Sequence, residues 1–217
     1  MSIRVFIADD HAILRDGLKL LLEAREDIAV VGQAGSGWEA IRQIRSLDPD
    51  IAIIDIAMPG LNGIEATARL RETSPRTRVV ILSMHGSAEH VVRAFSAGAA
   101  GYLLKESIGE EVVRAVRSVF AGHRYLTPAL SDPVIEDYLS LAGRTRKISP
   151  LERLSPRERE VLQLVVEGKT NAEIASLTNL SPKTVATYRS RLMRKLDVRN
   201  FAELVHFALK HGLTPSP

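Results

Sequence analysis

Five short runs of aliphatic and β-branched residues alternate with helical periodicity through the first half of the chain: Ile3 to Ala8, Ala29 to Val31, Ile51 to Ile54, Val79 to Leu82 and Tyr102 to Leu104. No other feature constrains the fold as strongly. Successive strands joined through helices must run parallel, because a parallel pair needs a crossover connection. The alternation therefore predicts a doubly wound α/β domain over residues 1–125, a five-stranded parallel sheet with helices on both faces. Asp10 or His11 opens a first helix with Ile13, Leu14, Leu18, Leu21 and Leu22 at 3.6-residue spacing. Ser36 caps a second, carrying Trp38, Ile41 and Ile44.

From Thr127 to Pro150 the pattern weakens around one short helix candidate, Asp132 to Leu141, and residues 126–150 read as a linker. Only helix signals follow over 151–217. Ser155-Pro156 with Glu158 and Thr170 with Glu173 read as capping boxes, and Ser181-Pro182 starts a further helix. Charge divides the chain at the same place. Residues 1–143 carry a net charge of −4 and residues 144–217 a net charge of +7, so the C-terminal part is suited to a polyanion, most commonly nucleic acid.

The absence of cysteine excludes a disulfide framework, a Cys-ligated zinc and a thiol nucleophile. The longest apolar runs have strand length, short of the ~18 residues of a membrane span. Asp9 and Asp10 interrupt the N-terminus before a signal-peptide core can form. A cytoplasmic protein without membrane contact is expected.

In an open parallel sheet, ligands bind at the carboxyl ends of strands where the strand order reverses. The first strand ends in Asp9-Asp10 and the third in Asp55, so a 2-1-3-4-5 order brings three carboxylates together. Each raises the others' pKa, and a hard cation such as Mg²⁺ relieves the repulsion. Strand four ends in Ser83 and strand five in Lys105, a hydroxyl and an ammonium suited to a phosphoryl group on Asp55. The constellation suits phosphoryl transfer to a carboxylate.

The segments IADDH at 7–11, DIAMPGLNG at 55–63, LSMH at 82–85 and GYLLK at 101–105 resemble a two-component response-regulator receiver, a flavodoxin-like fold, over residues 3 to about 122. The resemblance implies that Asp55 is the phosphoacceptor and that Asp9, Asp10 and the Ala57 backbone carbonyl join it around Mg²⁺. Ser83 and Lys105 match the phosphate contacts, and Tyr102 matches an aromatic switch that turns inward. Glu106 replaces the proline that typically follows the residue matching Lys105, which removes the usual reason for a cis bond there. The resemblance also implies that Ala57 and His85, two residues beyond the acceptor and the hydroxyl, line the path of the hydrolytic water; Ala57 offers it no hydrogen bond, so slow autodephosphorylation is expected.

In the C-terminal part, the Ser155 to Gly168 helix carries Val161, Leu162, Leu164 and Val165, and the Thr170 to Leu177 helix carries Ile174 and Leu177. The Ser181-Pro182 start leads into a helix with Val185, Leu192 and Leu196 on one face. Lys183, Ala186, Thr187, Ser190, Arg191 and Arg194 recur away from that face, with Arg189 and Lys195 extending the positive rim. Small and hydroxylated residues let a helix approach base edges, and long cations reach phosphates.

Residues 155–204 strongly resemble a LuxR-type helix-turn-helix, and both halves together resemble the NarL/FixJ family of response regulators. The resemblance implies DNA contacts from Lys183, Thr184, Ala186, Thr187, Arg189, Ser190, Arg191, Arg194 and Lys195. Tyr188 stands where many members have His. A last helix, Phe201 to Lys210, has a Leu204, Val205, Ala208 and Leu209 stripe, and the resemblance implies that it pairs two domains into a homodimer on promoter DNA.

The expected function is a phosphorylation-dependent transcriptional regulator, not an enzyme beyond self-phosphorylation and slow autodephosphorylation, with a sensor histidine kinase and RNA polymerase as further partners. A phosphohydrolase of the haloacid-dehalogenase type uses similar groups, but its D-x-D nucleophile motif is not matched by Asp9-Asp10-His11.

Overall fold

β1 (Ile3–Ala8), β3 (Ile51–Asp55) and β4 (Arg78–Ser83) are buried almost throughout, as strands covered by helices on both faces must be. They lie between β2 (Ile28–Ala34) and β5 (Gly101–Leu104) in a computed structural model that describes residues 2–131, 150–211 and 213. The chain divides into two compact units, the sheet with its helices and the C-terminal helices.

All strands are parallel in the order β2-β1-β3-β4-β5-β6. The expected order holds, but the sheet has six strands where five were expected. β6 (Tyr125–Leu126) pairs with Gly101 and Tyr102 of β5. Two residues are too few to produce a periodic signal, and the segment read as linker from residue 126 therefore begins as sheet. A 3-10 turn at Pro128–Leu130 follows, with Leu130 buried. The Asp132 to Leu141 helix candidate lies outside the described residues.

β2 is also longer than its β-branched core suggests. It continues through Gly32, where the register against β1 slips beside Phe6. A Cβ at Gly32 would lie 2.7 Å from both the Phe6 ring and Leu47, so the absent side chain is what lets these two close over the strand.

Helices α1 (Ala12–Glu23), α2 (Gly37–Leu47), α3 (Gly63–Thr73), α4 (Ala88–Ala97) and α5 (Glu110–Phe120) connect the strands. His11 is the N-cap of α1, and Ser36 caps α2 by accepting the Glu39 amide. The α1 stripe is narrower than expected. Leu18 and Leu22 are buried with Leu14 and Leu21 against them, whereas Ile13, about 100° round from Leu14, is 91% exposed.

In the second unit, a 3-10 turn at Pro150–Arg153 precedes α6 (Pro156–Val166), α7 (Asn171–Thr178), α8 (Pro182–Leu196) and α9 (Phe201–Lys210). Both capping boxes form, at Ser155/Glu158 and Thr170/Glu173. Asn179 takes the left-handed conformation, φ 54°, that ends α7 tightly before α8. Val161, Leu162, Ile174, Val185, Leu192, Leu196 and Leu204 share one core. Leu177, expected beside Ile174, is exposed instead.

Among the described residues no helix is long and apolar enough to cross a membrane, and no peptide bond is cis.

Candidate functional site

The ends of β1 and β3 are adjacent, Ala8 pairing with Ile54, and this register places Asp9 and Asp55 side by side. Ligand atoms of Asp9, Asp10, His11 and Asp55 all lie within 4.8 Å of one another. Asp9 and Asp55 are buried. The loop after β3 returns beneath them, with the Gly63 amide donating to the Ile56 carbonyl. Gly63 cannot be exchanged for a larger residue in this backbone. A Cβ there would stand 2.1 Å from the Asp55 carbonyl oxygen.

Lys105, in the 3-10 turn Lys105–Ser107 after β5, places its ammonium 2.7 Å from Asp9 Oδ2 and 3.0 Å from Asp55 Oδ2. Burial works against its charge, but Asp55 and Asp9 outweigh this and hold its pKa above the ordinary value. Burial and the Asp9 charge push the Asp55 pKa up to about 6, against the opposing pull of Lys105 and of the Ala57 amide. One ammonium is therefore not enough for this group of acids.

The donor chemistry fits a hard cation. Asp9 Oδ2, Asp10 Oδ1 and Asp55 Oδ2 are buried carboxylate oxygens that share the Lys105 ammonium and His11 Nδ1 as close contacts, a set of hard oxygens richer in negative charge than those contacts balance. His11 Nδ1 stands 3.1 Å from Asp9 Oδ1 and 2.7 Å from Asp10 Oδ1, so the residue expected only to open α1 also meets the acids. Its position directly after two carboxylates was the available signal.

Ser83 pairs with Leu104 across β4 and β5, so it borders the same pocket. Its Oγ accepts the His85 amide at 2.9 Å. Tyr102 is fully buried with its ring inward, and its hydroxyl donates to the His85 carbonyl at 2.6 Å. Burial pushes the phenol up to about 12, which fixes it as a donor. One residue's backbone thus meets both the Ser83 and the Tyr102 hydroxyls. His85 stacks its ring on His90 of α4, with centroids 5.1 Å apart.

On α8, Val185, Leu192 and Leu196 face the core, while Lys183, Ala186, Thr187, Ser190, Arg191 and Arg194 are exposed. Ser181, Lys183, Thr184, Thr187, Tyr188 and Arg191 line an open hollow of about 300 Å³. Tyr188 packs partly against the core. Thr184 is half-buried and tied to the cap, its amide donating to Ser181 Oγ. Two of the cations expected on DNA have side-chain partners within the unit. Arg189 donates to Asn171 Oδ1 at 2.8 Å, and Lys195 Nζ lies 2.6 Å from Glu158 Oε2.

Residues 5–117 match the response regulator receiver domain and residues 152–208 match the bacterial regulatory proteins of the luxR family. The chain is a response regulator. It pairs a receiver with a LuxR-type DNA-binding domain, the NarL/FixJ arrangement. It is 37% identical over 211 residues to the response regulator UvrY of Escherichia coli K12, covering 97% of this chain and 95% of that one. It is 35% identical over 213 residues to the oxygen regulatory protein NreC of Staphylococcus carnosus, covering 97% and 98%.

Among solved structures, the RcsB response regulator of Salmonella typhimurium superimposes with a TM-score of 0.68 at 26% identity, covering 99% of each chain. RcsB in complex with DNA gives 0.59 at 27% identity, covering 96% of this regulator and 98% of RcsB.

Proposed function

We propose that this regulator is switched by phosphorylation of Asp55 and binds promoter DNA through α8. The observation that carries the reading is the placement of Lys105 between Asp9 and Asp55, within a buried group of acids that one ammonium does not neutralise. An Asp55 oxygen attacks the phosphorus of a phosphohistidine on a sensor histidine kinase. The O–P bond forms as the P–N bond breaks, and the imidazole leaves. Asp9, Asp10, Asp55 and the Ala57 carbonyl would hold Mg²⁺, which supplies positive charge for the incoming phosphoryl oxygens. Lys105 then exchanges part of its carboxylate contact for the phosphoryl group, and Ser83 contributes its hydroxyl.

The switch follows from the His85 backbone. Moving Ser83 toward the phosphoryl group disturbs the His85 amide it accepts, and the His85 carbonyl holds the Tyr102 hydroxyl. A phosphoryl group shifts the population only through its preference for one of these arrangements. Lys183, Thr184, Ala186, Thr187, Ser190 and Arg191 read the DNA, and Arg189 and Arg194 form the cationic frame, while Lys195, expected there too, is held by Glu158. Exposed Phe201 and Leu209 on α9 suit pairing into a homodimer on two half-sites. RNA polymerase is the further partner, and these partners put the protein in the cytoplasm.

The test measures DNA affinity with and without acetyl phosphate. Affinity should rise for the native chain and stay constant for Asp55→Asn. A variant lacking Asp55 that still responds to the phosphodonor would contradict the reading.

A further inference from the structure

We infer that Asn171 is a positioning residue for DNA binding, holding the Arg189 guanidinium in place for a backbone phosphate while leaving its charge unspent. The inference rests on the reading above that Arg189 belongs to the cationic frame of α8.

The second unit pairs its cations in two chemically different ways. Lys195 meets Glu158, and Arg157 meets Glu160 at 2.5 Å; both carboxylates are buried, and each cation is matched by an opposite charge inside the fold. Arg189 is different. Its Nη1 donates to the side-chain oxygen of Asn171, 18 residues earlier, at 2.8 Å. An amide oxygen accepts a hydrogen bond and fixes a direction, but it carries no formal charge. The guanidinium keeps its full positive charge and its remaining donors.

The placement supports the same role. Asn171 is the first residue of α7, directly after the Thr170 cap, and Arg189 stands midway along α8. The bond therefore spans the two helices of the helix-turn-helix. Arg189 is half-buried, and ordering a long side chain before binding reduces the entropy lost on contact with DNA. Replacing the amide by a carboxylate would keep the geometry and cancel the charge.

Asn171→Asp makes that replacement with almost no change of shape. A carboxylate in the first turn of α7 is favoured by the helix dipole and would pair with Arg189, so the fold is not weakened. The experiment uses the full-length chain and a mixed-sequence duplex of about 30 base pairs, since phosphate contacts do not depend on sequence. The affinity of the native chain, Asn171→Asp, Arg189→Ala and the double variant is measured against salt concentration, with thermal unfolding alongside.

Asn171→Asp and Arg189→Ala should each lower the slope of log K against log salt by about 0.9, the share of one phosphate, and weaken binding about tenfold near 0.1 M salt. Asn171→Asp should melt no lower than the native chain. In the Arg189→Ala background, the added Asp should change affinity less than about twofold. Full additivity would mean that the new carboxylate simply repels DNA, and would overturn the assignment. So would an unchanged slope in Asn171→Asp or in Arg189→Ala. Binding of the native chain that ignores salt would instead remove the DNA reading on which the inference stands.

Discussion

Lys195 Nζ lies 2.6 Å from Glu158 Oε2, the same oxygen that accepts the Ser155 amide at 2.8 Å. The end of α8 is thereby tied to the capping box that starts α6, and a cation expected on DNA is committed to the fold. Burial works to raise the Glu158 pKa, but the bonds from Lys195 and Ser155 outweigh it and hold the carboxyl below its ordinary value. Such a group stabilises the native state above the unfolded pKa, about 4.3. That stability is lost as pH falls through the lower folded value. Lys195→Ala should cost about 1–3 kcal/mol in urea unfolding of the helical unit near neutral pH, a cost that shrinks as pH falls and Glu158 is protonated. A variant as stable as the native chain in urea would refute the strut.

Asp55 has the opposite sign. Its pKa is raised from about 3.9 unfolded to about 6 folded, so the native state holds the extra proton within that window. Stability falls as pH rises through it. Asp55→Asn should raise the stability of the receiver by ~1–3 kcal/mol near neutral pH and flatten that pH dependence. Millimolar Mg²⁺ should raise the native Tm by binding only the folded site. Calorimetry that finds identical melting with and without Mg²⁺ would remove the metal from the scheme.

Gly63→Ala should be costly for a reason confined to the backbone. Its Cβ would meet the Asp55 carbonyl oxygen at 2.1 Å and the carbonyl carbon at 2.8 Å, and neither can swing aside as a side-chain tip would. A loss above ~2 kcal/mol is expected, with reduced phosphoryl incorporation from acetyl phosphate. Native incorporation by a fully stable Gly63→Ala chain would show that the loop adapts.

Ala57→Asn should accelerate loss of the phosphoryl group, because an amide at this position can orient the attacking water and a methyl cannot. The decay of labelled phosphoprotein in Mg²⁺ measures it. A native chain that loses its label within seconds would leave the methyl without the protective role assigned to it.

The sheet and most helix starts were legible because they are written in local periodicity and capping chemistry. Ser36, Ser155, Thr170 and Ser181 all cap the helices they announce. What escaped was short or depended on distant partners. Tyr125 and Leu126 carry no pattern of their own and become a strand only because β5 offers an edge. Ile13 was placed on the buried stripe although the stripe that packs is Leu14, Leu18 and Leu22.

In the acidic pocket, the ends of β1, β3, β4 and β5 located Asp9, Asp55, Ser83 and Lys105, since topology converts strand ends into neighbours. The His85 backbone that bridges the Ser83 and Tyr102 hydroxyls was hidden, because it depends on how a loop closes rather than on where strands stop. Likewise, helical spacing put Arg189 and Lys195 on the rim of α8 but could not reveal Asn171 or Glu158 waiting across the turn.

The chain's departure from the sheet is stitched where the pocket ends. Thr127 accepts the Leu104 amide through its hydroxyl at 3.1 Å and donates its own amide to the Tyr102 carbonyl at 3.0 Å. Leu104 is the residue before Lys105, so the backbone that carries the pocket's ammonium is clasped, one peptide away, by a side chain from beyond the last strand, and Thr127→Val would undo that clasp without touching an acid.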